Sequence, residues 1–273
     1  MNTASFLLPG LSEVNFSITR ITLDSNSPLN QNQSHIHSEC EIYLNLSGNV
    51  AFEVEKHIYP ISRGSVIITR PYEYHHCIYR SAGSHDHYWI TFSAGENQEL
   101  LKLFFRREKG ADNLLILGEA ELTRMCGILD ALLEGSDQLQ RQIDFLRLVQ
   151  LLNSCKRASH TEYMQKMPRD VAAALQYMED HLGDDLDMPT LAEVSGVSIN
   201  SLERHFRREL GTTPHAMLRR MRLLDSMKYL REGKTVSEAA LKSGFTDYSG
   251  YIQMFRREFG MTPRYYKEAY MLK

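Results

Sequence analysis

The chain has 273 residues, 42% of them hydrophobic, which is enough for two domains with their own cores. Its net charge of -3 does not by itself point to nucleic acid, it has no run of 18 apolar residues to cross a membrane, and Cys40, Cys77, Cys126 and Cys155 lack the C-x-x-C spacing of zinc or redox sites. Residues 1–11 lack the basic start and long apolar core of a signal peptide, so a cytoplasmic chain with reduced thiols is expected.

Residues 12 to about 93 read as short strands separated by turns. Phe16, Ile18, Ile21 and Leu23 mark the apolar positions of residues 15–23. Residues 41–46 follow, closed by the turn signal Ser47-Gly48-Asn49, and 51–55 answer them. Residues 57–61 lead to a second turn at Ser62-Arg63-Gly64. The β-branched run 65–69 reads as buried on both faces, and Pro71 ends it. Residues 76–80 and 87–92 complete the set. This spacing predicts a small sandwich or barrel. His85 and His87 fall on the last hairpin and read as surface residues, His87 also as a pocket candidate.

From residue 96 to about 157 the pattern turns helical, with apolar segments at Leu100–Phe105, at Leu122–Leu133 and at Ile143–Leu152. The third has a wide apolar surface, which suits either dimerisation or covering the open side of the barrel. Residues 158–167 are polar and without period, so they read as a linker. A helix at 168–181 follows, with Pro168 near its start and Gly183 past its end.

The last hundred residues contain a repeat. Phe206-Arg207-Arg208-Glu209-Leu210-Gly211-Thr212-Thr213-Pro214 lines up with Phe255-Arg256-Arg257-Glu258-Phe259-Gly260-Met261-Thr262-Pro263. Each copy reads as helix, tight turn, helix. Gly244 stands where the second copy must turn sharply, and Asp247 or Ser249 can cap the following helix. Tyr251, Met254, Phe255 and Phe259 recur at helical spacing as its buried stripe, matched by Leu202 and Phe206 in the first copy. That is the build of two helix-turn-helix modules, whose second helices enter DNA major grooves. Residues 1–165 carry 14 basic and 19 acidic groups, a net of -5, whereas 166–273 carry 17 and 15, a net of +2. The bias is mild, so the placement of Arg204, Arg207, Arg208, Arg256 and Arg257 on the second helices matters more than the total.

The stretch G-F-T-D-Y-S-x-Y-x-x-x-F-R-R-E-F-G-M-T-P-x-x-Y, residues 244–266, resembles the DNA-binding region of AraC/XylS-type transcription regulators, and the resemblance covers roughly 168–273. It implies seven helices, with a long one from Pro214 to about Leu230 joining the modules. It also implies recognition helices that enter successive major grooves on one side of the DNA, ~34 Å apart. By the same resemblance Asn200, Ser201, Glu203 and Arg204 occupy base-reading positions of the first module, with Arg207 and Arg208 on phosphate. Tyr248, Ser249, Gly250, Gln253, Arg256 and Arg257 are their counterparts. Family members often carry Arg where this chain has Gln253, and Gly250 offers no side chain, so the first module is expected to discriminate more.

His35-Ile36-His37-Ser38-Glu39-Cys40-Glu41 followed by Gly48 resembles the first motif of the cupin barrels; Gly64, Pro71 and His76 resemble the second with one residue inserted. AraC-type regulators often carry such a barrel as an N-terminal sensor. The resemblance offers His35, His37, Glu41 and His76 as ligands of a divalent metal, a set suited to manganese, iron, nickel or zinc. The competing reading has them line an effector pocket with Tyr43 and Trp89, without a cofactor, or has His35 and His37 cap a strand edge. Arg63, Arg70, Tyr88 and Phe92 are further residues of a type that binds a sugar or a carboxylate.

The expected fold is therefore α+β. A cupin-like effector barrel occupies 1–95, a helical dimerisation segment 96–157, a linker 158–167, and an all-α double helix-turn-helix domain 168–273. The expected protein is no enzyme but a homodimeric regulator that binds double-stranded promoter DNA and a small effector, with a sugar as the expected class, and RNA polymerase if it activates. The competing readings are a metal-dependent cupin enzyme tethered to DNA and a constitutive DNA-binding dimer.

Overall fold

The computed structural model describes residues 2–6, 14–24, 36–47, 50–55, 57–79, 84–93, 99–135, 137–158 and 167–271. The chain divides into two compact units, 1–163 and 164–273. His35 and most of the expected linker lie outside the described residues.

Among the described residues the first unit holds ten strands: β1 (Asn2–Phe6), β2 (Val14–Asp24), β3 (Cys40–Asn45), β4 (Val50–Val54), β5 (His57–Ile61), β6 (Ser65–Thr69), β7 (His75–Tyr79), β8 (Ser84–Phe92), β9 (Leu114–Ile116) and β10 (Lys156–Ala158). They form an antiparallel sheet in the order β1-β2-β8-β3-β6-β9-β10 and a second one in the order β5-β4-β7. Among the described residues the expected barrel is thus two sheets packed on one another without closing into one. Strand alternation explains both faces. Phe16, Ile18, Ile42, Leu44, Tyr88, Ile90 and Phe92 point one way, into a core shared with the helices. Tyr43 and Ile67 point the other way and pack on Val50, Phe52, Val54, Tyr59 and Ile61 of the small sheet.

The helical segment holds a single turn, α1 (Lys102–Phe105), and two full helices, α2 (Glu119–Glu134) and α3 (Gln138–Ser154). Leu122, Met125, Leu129 and Leu132 of α2, with Phe145, Leu148, Val149 and Leu152 of α3, cover the large sheet. This accounts for one side of the wide apolar surface of α3. Leu139, Ile143 and Leu146 form a stripe on the other side, 62%, 37% and 38% exposed.

Among its described residues the second unit is all helix: α4 (Arg169–Asp180), α5 (Met188–Ser195), α6 (Ile199–Leu210), α7 (Pro214–Arg231), α8 (Val236–Lys242), α9 (Tyr248–Phe259) and α10 (Pro263–Met271). Its helix starts are chemically marked. Asp187 caps α5 and Ser198 caps α6 through Ser201 N; Thr213 caps α7, and Thr235 with Glu238 forms a capping box on α8. Gly196, Gly211 and Gly260 end α5, α6 and α9 in the left-handed conformation. The long α7 packs against α4 and α6 and also against α8 and α10, so one helix holds both modules. Leu202, Phe206 and Leu210 of α6, and Tyr251, Phe255 and Phe259 of α9, are buried as their spacing predicts, while Met254 is half-buried.

Candidate functional site

Two regions gather chemistry-bearing side chains. The first lies between the sheets of the N-terminal unit. Glu41, Tyr43 and Asn45 alternate along β3 toward the small sheet, and in register beside them on β8 stand Thr91, Trp89 and His87. Tyr43 stacks on His87 at 4.7 Å between ring centroids and lies 5.0 Å from Phe52. His85 and His87 are 1% and 2% exposed, which corrects the surface reading: the small sheet covers the face of β8 on which they stand. Burial pushes His87 down to about 4, so its ring is uncharged at neutral pH. Trp89 is half-buried.

Glu41 anchors the polar end of this space. Its Oε2 is 3.1 Å from Nε2 of His37 and 3.1 Å from Nε2 of His75. His75 Nδ1 lies 2.9 Å from the Glu73 carbonyl, so it donates there, and Nε2 donates to Glu41; the ring carries both protons and a positive charge. Burial alone would push Glu41 upward, but the His75 charge and the bonds from both imidazoles hold its carboxyl well below the usual range. His75 is correspondingly raised: burial opposes its charge and Glu41 outweighs burial. The residue expected beside Glu41 was His76. It pairs in register with Glu53, and being one position along β7 it faces away from Glu41.

His37, Glu41 and His75 present three atoms within 4.8 Å of one another, a span that suits one metal ion. As they stand, the imidazoles are tied to Glu41 through protons that a metal would have to displace. The Glu39 amide donates to His37 Nδ1 at 3.3 Å, which leaves the ring proton on Nε2, the very atom a metal would need. Both imidazoles therefore turn N–H groups, not lone pairs, toward Glu41.

Glu73 holds this end in place. Its carboxylate receives Arg107 at 2.7 and 2.5 Å, Gly110 N at 2.6 Å and Arg70 N at 2.9 Å, with both partners of the ion pair almost fully buried. Arg70, a residue type suited to gripping an effector, spends its guanidinium on the carbonyls of Phe105 and Arg107. Arg63 lies 3.5 Å from Glu119, and Tyr88 and Phe92 face the helix-side core.

The second region is the outer face of α6 and α9. Asn200, Arg204, Arg207 and Arg208 are exposed on α6, with Ser201 and Glu203 half-buried. Tyr248, Ser249, Gln253, Arg256 and Arg257 are exposed on α9, with Gly250 half-buried. Arg208 binds Glu209 at 2.6 Å, but Arg204, Arg207, Arg256 and Arg257 make no ion pair among the described residues. Gly250 is occupied in its own way: a Cβ there would lie 2.3 Å from Asp247 Oδ2, so the cap residue fills the place of the missing side chain.

Two sequence families match the chain, an AraC-like ligand-binding domain at residues 21–154 and a helix-turn-helix domain at 191–269. The chain belongs to the AraC family of transcription regulators. The ligand-binding match takes in β3–β9 and α1–α3 but leaves out β1, most of β2 and β10; the helix-turn-helix match begins at Leu191 and leaves α4 outside. The HTH-type transcriptional activator RhaS of Escherichia coli O139:H28 is 31% identical over 136 residues, 48% of each chain, so the chain spans about half the length of the curated relatives it matches. Among solved structures it resembles the DNA-binding domain of AdpA in complex with a target DNA (28% identity, TM-score 0.37, 38% of this chain and 96% of that one). It also resembles unsaturated fatty acid-bound ToxT from Vibrio cholerae strain SCE256 (14% identity, TM-score 0.36, 92% and 94%). Among the described residues no helix is long and apolar enough to cross a membrane.

Proposed function

We propose that this AraC-family chain is a cytoplasmic, promoter-binding transcription regulator whose N-terminal unit takes a small effector between its two sheets. The observation that carries this is the pair of recognition helices, each buried on one face and offering unpaired arginines on the other. Asn200, Ser201, Glu203 and Arg204 read bases in the first module, and Arg207, Arg256 and Arg257 meet phosphate. In the second module Gln253 pairs with adenine, while Tyr248, Ser249 and Gly250 lie against the groove. RhaS, as a named activator, supports RNA polymerase as a further partner. The effector is a saccharide: Tyr43, Trp89 and His87 offer uncharged ring faces, and His37, Glu41 and His75 offer hydrogen bonds beside them. In this reading the Glu41 cluster works without a metal, as the polar end of the effector pocket.

Arg204→Ala is expected to cost about 1–3 kcal/mol on a duplex selected by the wild-type chain and to relax base preference at one position. Fluorescence anisotropy on selected and random duplexes checks it. Equal losses on both would make Arg204 a phosphate contact instead.

The dimer forms through the Leu139, Ile143 and Leu146 stripe of α3. Replacing Leu139 and Ile143 by aspartate is expected to give monomers in sedimentation analysis, with the unit still folded. A dimer that survives the exchange at micromolar concentration would place the interface elsewhere.

A further inference from the structure

The first recognition helix is held from outside its own module. His205 of α6 pairs through Nδ1 with the Asp170 carboxylate of α4, and both side chains are largely covered, 21% and 13% exposed. His205 sits between Arg204, which faces outward, and Phe206, which is fully buried. It therefore marks the edge where the reading face of α6 turns into the packed one. The repeat supplies an internal comparison. In the second copy the position of His205 is taken by Met254, which has no charged partner, and α9 is instead tied to α7 one turn further on, by Arg220 and Glu258 at 2.9 Å. So an apolar side chain fits this site in a helix-turn-helix, and an imidazole paired to a neighbouring helix is an addition.

Asp170 lies in the first turn of α4, where a carboxylate also suits the helix dipole. Burial opposes its charge, but the His205 bond and the His205 charge hold it below the ordinary range. The pair is a directional contact: it fixes the rotation of α6 about its axis, which decides where Asn200 and Arg204 point, in a way that a methionine packed at the same place does not.

We propose that Asp170 is a positioning residue for DNA recognition, setting the orientation of α6 through His205 and so sharpening the base discrimination of the first module. This rests on the reading of α6 as a base-reading helix. Breaking the pair lowers the ratio of affinities for selected and random DNA, since phosphate contacts tolerate a small rotation of the helix and bidentate base contacts do not.

The test uses the full chain and a duplex selected from a random pool by the wild-type protein. Asp170→Asn is expected to lower the selected-to-random ratio about fivefold, with affinity for random DNA and the melting midpoint unchanged. His205→Met, which copies the second module, should do the same, and the double variant should be no worse than either single one. Asp170→Glu should restore most of the ratio. An unchanged ratio in Asp170→Asn overturns the proposal, as does a loss on both duplexes in step with a lower melting midpoint. Arg204→Ala measured alongside separates the two ideas. If it leaves the ratio unchanged, base reading by α6 fails. If it lowers the ratio and Asp170→Asn does not, only the positioning role fails.

Discussion

Gly244→Ala is expected to destabilise the C-terminal unit by about 2–5 kcal/mol, from left-handed backbone strain and overpacking together. Gly244 stands at φ +80°, and a Cβ there would lie 2.5 Å from the Leu182 carbonyl oxygen and 2.9 Å from Arg222 Nε. Neither neighbour can give way cheaply. Arg222 donates to the carbonyls of Leu182 and Asp184 at 2.9 and 2.6 Å, so pushing it aside leaves backbone acceptors without their partner. Gly196, the corresponding turn in the first module, is the control. Its φ is +68° but nothing lies within 4 Å of an added Cβ, so Gly196→Ala should cost only the strain, about 1–2 kcal/mol. Thermal melts of the two variants check the difference; equal losses would mean that the close approach at Gly244 relaxes freely.

Glu41→Ala should be at least as damaging to the N-terminal unit, about 3–5 kcal/mol, because it strands a buried imidazolium. The same cluster gives the unit a pH dependence with a definite sign. His75 is raised above its ordinary 6.5, so its stabilising part is complete below that value and is lost as pH rises through the higher folded one. Glu41 is lowered from 4.5, so its part is complete above that value and is lost as pH falls through the lower folded one. The cluster therefore contributes fully between 4.5 and 6.5. Denaturation of the wild type should show stability declining on the alkaline side, and Glu41→Ala should remove that slope. A wild-type profile that rises from pH 6.5 upward at this unit would contradict the charge state assigned to His75.

The helical half was legible because its cores repeat: Phe206 and Phe255 each sit in a stripe of spacing 3 and 4, whereas of the caps expected for α9, Asp247 takes the position but makes no capping hydrogen bond through its side chain. Most strands were legible by alternation, but partners were not. Whether His75 or His76 meets Glu41 depends on which neighbour of β4 each faces, and a one-residue difference reverses a side chain. The signal was present in β4 itself, where Phe52 and Val54 alternate with Glu53 and fix the inward face of β7. The burial of His85 and His87 was hidden for a related reason, since nothing local announces a second sheet above β8. Strands β9 and β10 are three residues each, too short to show a period. The His205–Asp170 contact joins residues 35 apart and leaves no trace in spacing.

The most direct measurement is a hydroxyl-radical footprint of the full chain on its selected duplex. Two recognition helices held by α7 predict two protected patches on one face of the DNA, about one helical turn apart, with the patch under α6 weakened in Arg204→Ala and the other unchanged. A single patch per chain, or protection that spreads evenly over random sequence, would contradict the double-module reading.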